Sequence, residues 1–187
     1  DGLADIFLTA ISHPVDSDYS RKWSDPSQLL INRGAEAGYA FSNQYLARGL
    51  PFNEGDVDGA MVDFDNDGRM DLSVSRDKKY EPNYPDIDQQ SWFGLMHQQP
   101  DGSFTSVGPA SGINDSEAEY NRMKAAQNHA WSDIDHDGDL DLLIGGRDTG
   151  GGRPNFLFEN QIGSANAWLA VRLVGDGAKI NRDAIGA

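Results

Sequence analysis

The sequence contains no cysteine. This absence excludes a disulfide framework, a thiolate metal site and a cysteine nucleophile. Long hydrophobic runs are also missing, since no stretch approaches the roughly 18 apolar residues of a membrane-spanning helix, and no charged start followed by an apolar run marks a signal peptide. A hydrophobic content of 38% over 187 residues is nevertheless sufficient for an ordinary folded domain with its own core.

Basic residues are scarce: the chain has 15 Lys and Arg against 30 Asp and Glu, which gives a formal net charge of -15. Such a surface repels the phosphate backbone of nucleic acids and anionic lipid. We therefore expect no nucleic-acid partner, and the lack of long apolar runs predicts no membrane span. Bound cations would offset part of the negative charge.

An acidic ten-residue pattern occurs twice. It reads Asp-Phe-Asp-Asn-Asp-Gly-Arg-Met-Asp-Leu from Asp63 and Asp-Ile-Asp-His-Asp-Gly-Asp-Leu-Asp-Leu from Asp133. A shortened copy, Asp-Gly-Leu-Ala-Asp-Ile, opens the chain at Asp1. Because this copy lacks its leading positions, we expect the chain to be a segment of a longer polypeptide.

The spacing predicts a calcium site in each copy. Carboxylates at positions 1, 3 and 5 converge only if the backbone curls tightly, and the glycine at position 6 permits that curl. Position 7 would offer its backbone carbonyl and position 9 a further carboxylate, and hard oxygen ligands in this number suit Ca²⁺ better than Mg²⁺ or zinc. The predicted ligands are Asp63, Asp65, Asp67, Arg69 and Asp71 in the first complete loop, Asp133, Asp135, Asp137, Asp139 and Asp141 in the second, and Asp1, Leu3 and Asp5 in the shortened copy.

Two other interpretations of the pattern exist. An acidic turn without a metal is one, since Asp, Asn and Gly are common turn residues, although a repeated cluster of mutually repelling carboxylates argues against it. An EF-hand is the other, but it needs a glutamate at position 12 and flanking helices. Position 12 is Val74 in one loop and Ile144 in the other, and the flanks alternate with a two-residue period. We therefore predict that each loop connects the two strands of a β-hairpin.

The loop glycines Gly2, Gly68 and Gly138 are 66 and 70 residues apart. This period suits a four-stranded blade with insertions, and the sequence predicts an all-β protein built from β-propeller blades of four antiparallel strands. Fewer than about four blades cannot close into a ring, so we expect a partial propeller completed by a longer or an associated chain. The predicted strands cover residues 4–11, 28–32 and 38–42, then 59–64, 70–75, 91–98 and 103–107, then 129–134, 140–145 and 155–160, with a further alternating strand at 168–174.

These loops, their Gly-Ala-Met-Val-Asp-Phe-Asp and His-Ala-Trp-Ser-Asp-Ile-Asp lead-ins and the Pro-Asp-Gly-Ser-Phe-Thr turn resemble FG-GAP/VCBS repeats, the calcium-binding blades also found in integrin alpha subunits. The ending, from Trp168-Leu-Ala-Val-Arg-Leu-Val-Gly to Asn181-Arg-Asp-Ala-Ile-Gly-Ala187, resembles the start of the ASPIC/UnbV module of cartilage acidic protein-like proteins. The resemblance implies about three blades over residues 1–163, the first truncated, an ASPIC/UnbV-like start over 164–187, and a seven-bladed parent propeller. It also implies a calcium-binding, secreted or surface-exposed protein that binds a partner.

The strand order of a blade places the calcium loops and the tight turn on one face and the long insertions on the other. Those insertions carry aromatic residues interleaved with lysine and arginine, which favours binding of an anionic partner such as an acidic glycan or a protein patch. The alternative is that these side chains only pack the insertions onto the blades. The predicted partner-binding residues are Tyr19, Trp23, Tyr80, Tyr84 and Tyr120.

A catalytic constellation is not recognisable in the sequence, and each of the four histidines has a structural role as its default interpretation. The leading hypothesis is a non-enzymatic calcium-binding module for protein or glycan binding, adhesion or surface assembly. The location expected for it is extracellular, at the cell surface or periplasmic, where calcium is abundant enough to fill weak sites. A propeller domain of a polysaccharide lyase or hydrolase is the alternative, and a purely structural subunit of a surface assembly is a third possibility.

Overall fold

The computed structural model describes residues 2–10, 27–51, 55–76, 93–108, 110–113, 126–146, 155–166, 168–169, 171 and 174. These residues form ten strands in three small antiparallel sheets, together with three short 3-10 turns. The all-β class predicted from the sequence is confirmed at this level. No helix in the described ranges has the length and apolar character needed to cross a membrane.

Each strand pairs with its neighbours in the sequence. The first sheet contains β1 (Ile6–Leu8), β2 (Gln28–Asn32) and β3 (Phe41–Asn43); the second contains β4 (Asp56–Val62), β5 (Asp71–Arg76), β6 (Phe93–Gln98) and β7 (Phe104–Ser106); the third contains β8 (Ala126–Ser132), β9 (Asp141–Gly146) and β10 (Asn155–Phe158). The 3-10 turns are Ala35–Ala37, Leu46–Arg48 and Gly163–Ala165. This chain-order pairing makes the sheets simple meanders joined by hairpins and longer connections.

The second sheet is covered on both of its faces. Leu72 and Val74 of β5 belong to a buried cluster shared with the first sheet, whereas Phe93 and Leu95 of β6 belong to one shared with the third. Successive sheets therefore pack face to face, and β5 is buried along its whole length. The burial of apolar side chains between sheets supplies the main stabilising free energy of the fold.

The leading strand of the second sheet, β4, contacts both β1 and β8. At one of these contacts Gly59 lies against the ring of Phe7, in a space too small for a Cβ atom. A side chain at this position would push the first two sheets apart. Glycine therefore has a packing role here.

The sequence-predicted strands are confirmed in every sheet, but two of them begin earlier than expected. The Asp-rich segment at 56–58 and residues 126–128 were predicted as parts of insertions, yet they belong to β4 and β8. Asp56 of β4 pairs with Arg76 of β5. The pairing register of β4 and of β8 is irregular directly after the first residue of each strand. Acidic residues usually indicate a turn, but pairing with the next strand overrides that preference here.

The predicted alternating strand at 168–174 is wrong for the residues that the structure describes. Trp168, Leu169, Val171 and Val174 lie outside any strand, and Leu169 is 83% exposed. An alternating pattern forms a strand only where a neighbour accepts its backbone hydrogen bonds. None of the ten described strands pairs with Trp168, Leu169, Val171 or Val174.

Candidate metal centre

The first loop (residues 63–70) connects β4 to β5, and the second loop (residues 133–140) connects β8 to β9. Strands on both sides make each loop a hairpin connection, as predicted, and exclude an EF-hand. Two residues in each loop have left-handed backbone: Asn66 (φ 56) and Gly68 (φ 88) in the first loop, His136 (φ 65) and Gly138 (φ 94) in the second. Position 4 therefore contributes to the tight curl together with the glycine at position 6, and Asn and His are among the residues that tolerate this conformation best.

Carboxylates at positions 1, 3 and 9 converge in both loops. One oxygen from each residue lies within 4.8 Å of the others in two sets: Asp63, Asp65 and Asp71, and Asp133, Asp135 and Asp141. Each set offers oxygen ligands alone, which suits a hard cation such as Ca²⁺. Six of the predicted ligands are therefore brought together in two candidate cation sites.

The aspartates at position 5 do not join those sets. Asp67 forms a different group with Asp65 and His97, and its carboxylate accepts hydrogen bonds from the Arg69 guanidinium and from His97 Nε2 at 3.0 Å. Partial desolvation opposes the shift, but these donors and the Arg69 backbone N–H keep the pKa of Asp67 below its ordinary value. In the second loop, Asp137 accepts the backbone N–H of Asp139 at 3.1 Å.

The position 7 residues, predicted to offer backbone carbonyls, differ in their side chains. Arg69 Nε donates to the Gln98 carbonyl at 2.9 Å. This hydrogen bond holds the positively charged guanidinium beside the first loop. Asp139 is 1% exposed, and its Oδ2 accepts the backbone N–H of Ser164 at 2.8 Å. Burial raises the pKa of Asp139, although the hydrogen bond from Ser164 acts in the opposite direction. Position 7 thus reverses its charge between the two loops.

The aspartate at position 9 makes the same hydrogen bond in all three sheets. Its Oδ1 accepts a backbone N–H from the next strand or from the second residue after that strand. The pairs are Asn32 to Asp5 at 2.8 Å, Gln98 to Asp71 at 2.7 Å, and Asn160 to Asp141 at 2.9 Å. The second oxygen of Asp71 and of Asp141 accepts a backbone N–H from its own loop. This residue therefore closes the loop and joins it to the sheet.

Burial has a large effect on Asp71, which is fully inaccessible. Desolvation, together with the nearby charge of Asp65, raises the pKa of Asp71 to about 6, against the hydrogen bonds from Gln98 and Phe64. A carboxylate in this state gains strongly from a nearby cation, because the cation compensates the lost hydration.

The shortened copy shares the described part of this geometry. Gly2 has a φ of 82, close to the values of Gly68 and Gly138, and Asp5 makes the position 9 hydrogen bond. Leu3, the predicted carbonyl ligand, lies between them and is 38% exposed. Asp1 lies outside the described residues, as do the predicted partner-binding residues Tyr19, Trp23, Tyr80, Tyr84 and Tyr120.

Asparagine side chains join the two complete loops. Asn66 Nδ2 donates to the carbonyls of Gly138 at 2.9 Å and Gly163 at 3.0 Å. From the segment that follows β10, Asn166 Nδ2 donates to the Asp65 carbonyl of the first loop at 2.7 Å, and Asn160 Nδ2 donates to the Phe64 carbonyl at 2.7 Å. Both candidate sites therefore lie at the same end of neighbouring sheets.

A buried polar cluster between the second and third sheets was not anticipated from the sequence. His129 Nε2 lies 2.8 Å from Ser73 Oγ, and its Nδ1 lies 2.9 Å from Ser75 Oγ and 3.3 Å from Asp58 Oδ2. The arrangement resembles a nucleophilic triad, but Ser73 is fully buried and also bonds Trp131 Nε1 at 2.9 Å. A nucleophile must reach its substrate, so this cluster holds β5 and β8 together.

The His129 cluster predicts a pH dependence of stability. Burial lowers the pKa of His129, against the charge of Asp58, so the folded state favours neutral imidazole. The stabilising contribution is complete above the unfolded pKa of about 6.5 and is lost as the pH falls through the folded value. Urea unfolding in saturating calcium measures this effect. When the pH falls from about 7.5 to about 5.5, the free energy of unfolding should decrease more for the wild type than for His129→Gln.

The exposed His136 offers a matched control for this measurement. His136→Asn introduces the residue that the first loop has at the equivalent position, Asn66. This variant should lose as much unfolding free energy between the two pH values as the wild type. Equal losses in wild type and His129→Gln would contradict the assignment.

No protein-family model, curated protein or solved structure matches the chain. The function is therefore inferred from the chemistry of the two loops. Each presents three convergent carboxylates on a rigid hairpin, and in the second loop Asp133 Oδ1 and Asp139 Oδ1 are buried without a hydrogen-bond partner among the described groups. Buried polar atoms are nearly always satisfied, and Asp133 belongs to the convergent set, so its unpartnered oxygen fits a site whose remaining partner is a cation.

Proposed function

We propose that the protein is a calcium-binding β-propeller module of the FG-GAP/VCBS type that binds a protein or glycan partner outside the cell. The observation that carries the proposal is the convergence of Asp133, Asp135 and Asp141 beside the unpartnered buried oxygen of Asp133. Six to eight oxygen ligands are normal for Ca²⁺, and in this proposal the three carboxylates are joined by loop carbonyls to make up such a set. Asp63, Asp65 and Asp71 provide the same arrangement in the first loop.

The stacking of the sheets supports the propeller. Each complete loop follows the leading strand of its sheet, and the leading strands β4 and β8 contact each other, as the innermost strands of neighbouring blades do. The first sheet, β1 to β3, packs on the second in the same sense through Phe7 and Leu29. In this proposal the remaining blades come from a longer or an associated chain, and residues 164–187 begin an ASPIC/UnbV-like module.

Calcium acts as a structural staple in this proposal. Each ion neutralises carboxylates that otherwise repel one another and holds the hairpin closed, in a protein without disulfides. A ligand that binds the folded state alone stabilises that state by mass action. In this proposal the partner binds the long insertions of the sequence through the predicted residues Tyr19, Trp23, Tyr80, Tyr84 and Tyr120, away from the calcium loops.

Isothermal titration of the calcium-free chain with CaCl₂ tests the proposal. We expect heat from two sites that persists in excess MgCl₂, because Mg²⁺ demands a stricter octahedron and retains its waters. Asp65→Asn and Asp135→Asn should each remove one site, since each loses a central carboxylate of its set.

Glu36→Gln provides the control, because Glu36 is exposed in the Ala35–Ala37 turn. It should retain both sites. Absence of calcium heat in the wild type, or two sites in the Asp65→Asn, Asp135→Asn double variant, would refute calcium binding by these loops.

A further inference from the structure

The two complete loops occupy equivalent places in their sheets but have different neighbours. Leu72 pairs with Met96, and Leu142 pairs with Phe158. The next residue along the neighbouring strand is His97 beside the first loop, whereas its counterpart beside the second loop is Glu159. An imidazole therefore stands where the other site has a carboxylate.

His97 acts as a hydrogen-bond donor to the first loop. Gln99 Nε2 donates to His97 Nδ1 at 3.0 Å and also reaches the His97 carbonyl, which can only accept. Nδ1 is then the accepting nitrogen, so the hydrogen is on Nε2. That nitrogen lies 3.0 Å from Asp67 Oδ2 and 3.2 Å from Asp65 Oδ2.

Arg69 adds a full positive charge to the same site. Its guanidinium pairs with Asp67, and its Nε is fixed by the Gln98 carbonyl. Asp65, a member of the first candidate cation set, and its neighbour Asp67 therefore already have side-chain donors from the protein. A cation entering this loop must compete with these donors and with the charge of Arg69.

The second loop has the opposite character. Position 7 is Asp139, and Glu159 adds a further carboxylate at the register position of His97. The second loop together with Asp141 and Glu159 provides six carboxylates and no lysine or arginine, whereas the first loop together with Asp71 provides four aspartates and Arg69. Within the part of the chain that the structure describes, the buried carboxylate oxygens without a partner, Asp133 Oδ1 and Asp139 Oδ1, both belong to the second loop.

We propose that the second loop is the high-affinity calcium site and fills first, and that Arg69 and His97 set the first loop to a lower affinity. The inference rests on the proposed calcium binding and adds the order in which the loops fill. Calcium affinity depends on the number of charged ligands and on the rigidity of the site. The removal of two carboxylates and the addition of a cation correspond to an affinity difference of at least about tenfold.

Trp168 provides a reporter for the second loop. Its indole packs directly on Gly138, in the space that a Cβ atom would occupy, and remains 49% exposed. An excited indole transfers energy to a nearby Tb³⁺ ion, which replaces calcium at oxygen sites and then luminesces. Terbium emission under tryptophan excitation therefore follows the filling of the second loop.

The test titrates the calcium-free full chain with Tb³⁺ and, separately, with Ca²⁺ by calorimetry. We expect terbium emission to saturate at the first equivalent and calorimetry to show two affinities at least about tenfold apart. Trp168→Phe should remove most of the emission while both calorimetric sites remain. Asp135→Asn should leave only the weaker site, and Asp65→Asn only the tighter one.

The swap of neighbours tests the cause of the difference. The double variant Arg69→Asp, His97→Glu should increase the calcium affinity of the first loop by about tenfold. The variant Glu159→His, at an exposed position, should lower the calcium affinity of the second loop. Two equal affinities in the wild type, or no gain in the double variant, would overturn the inference while leaving calcium binding intact. Absence of calcium binding at both loops would instead overturn the proposed function itself.

Discussion

Chelation of calcium is expected to lower the melting temperature of the protein by about 10–20 °C. Two sites, each occupied at about a hundredfold above its Kd, contribute about 5 kcal/mol to the free energy of unfolding. For a chain of 187 residues, 1 kcal/mol shifts the melting temperature by about 2–4 °C. Differential scanning calorimetry in 5 mM CaCl₂ and in excess EDTA measures the shift.

Calcium should restore the original transition when it is added back to the EDTA-treated sample. The Asp65→Asn, Asp135→Asn double variant is the matched control, because it loses a central carboxylate from each set and should melt at the same temperature with and without chelator. A wild-type transition that EDTA leaves unchanged would contradict the structural role of calcium.

Calcium is also expected to reverse the contribution of Asp71 to the pH dependence of stability. In the calcium-free protein, burial raises the pKa of Asp71 to about 6 from its ordinary value of 3.8. A raised carboxyl pKa stabilises the folded state fully below the unfolded value, and this contribution is lost as the pH rises through the folded value. Between about pH 4.5 and about pH 7.5 the loss amounts to about 2 kcal/mol. Bound calcium favours the ionised carboxylate. With calcium bound, the contribution of Asp71 to the stability of the folded state should therefore decrease as the pH falls.

The variant Asp71→Asn isolates this group from the others that titrate in the same range. Urea unfolding of wild type and variant is compared at both pH values in EDTA. The difference in unfolding free energy between the two proteins should change by about 2 kcal/mol in favour of the wild type at the lower pH. A difference independent of pH would show that burial does not govern the ionisation of Asp71.

The hairpins and the convergence at positions 1, 3 and 9 could be predicted because their causes are local. Asp63, Asp65 and Asp71 lie within nine residues, and a single tight curl brings them together. The place of Asp67 could not be predicted in the same way. Its partner His97 comes from β6, 30 residues further along the chain, and sequence spacing carries no information about a register between strands.

The interior contacts follow the same rule. His129 meets Ser73 and Ser75 across two sheets, 56 and 54 residues apart, so no local pattern could join them. The described residues Trp168, Leu169, Val171 and Val174 show the converse case: they belong to an alternating sequence, but no described strand pairs with them. Local patterns thus predict which elements form, whereas partners distant in sequence decide what surrounds each site.

The asparagine bridges between the loops have a mechanical consequence. A force that separates the second and third sheets at this end must stretch the bonds from Asn66, Asn160 and Asn166 at the same time. These hydrogen bonds all cross the same boundary between the two sheets, so the sheets cannot separate at this end until each of them has broken. A displacement of the first loop therefore reaches the Gly138 carbonyl of the second loop through Asn66.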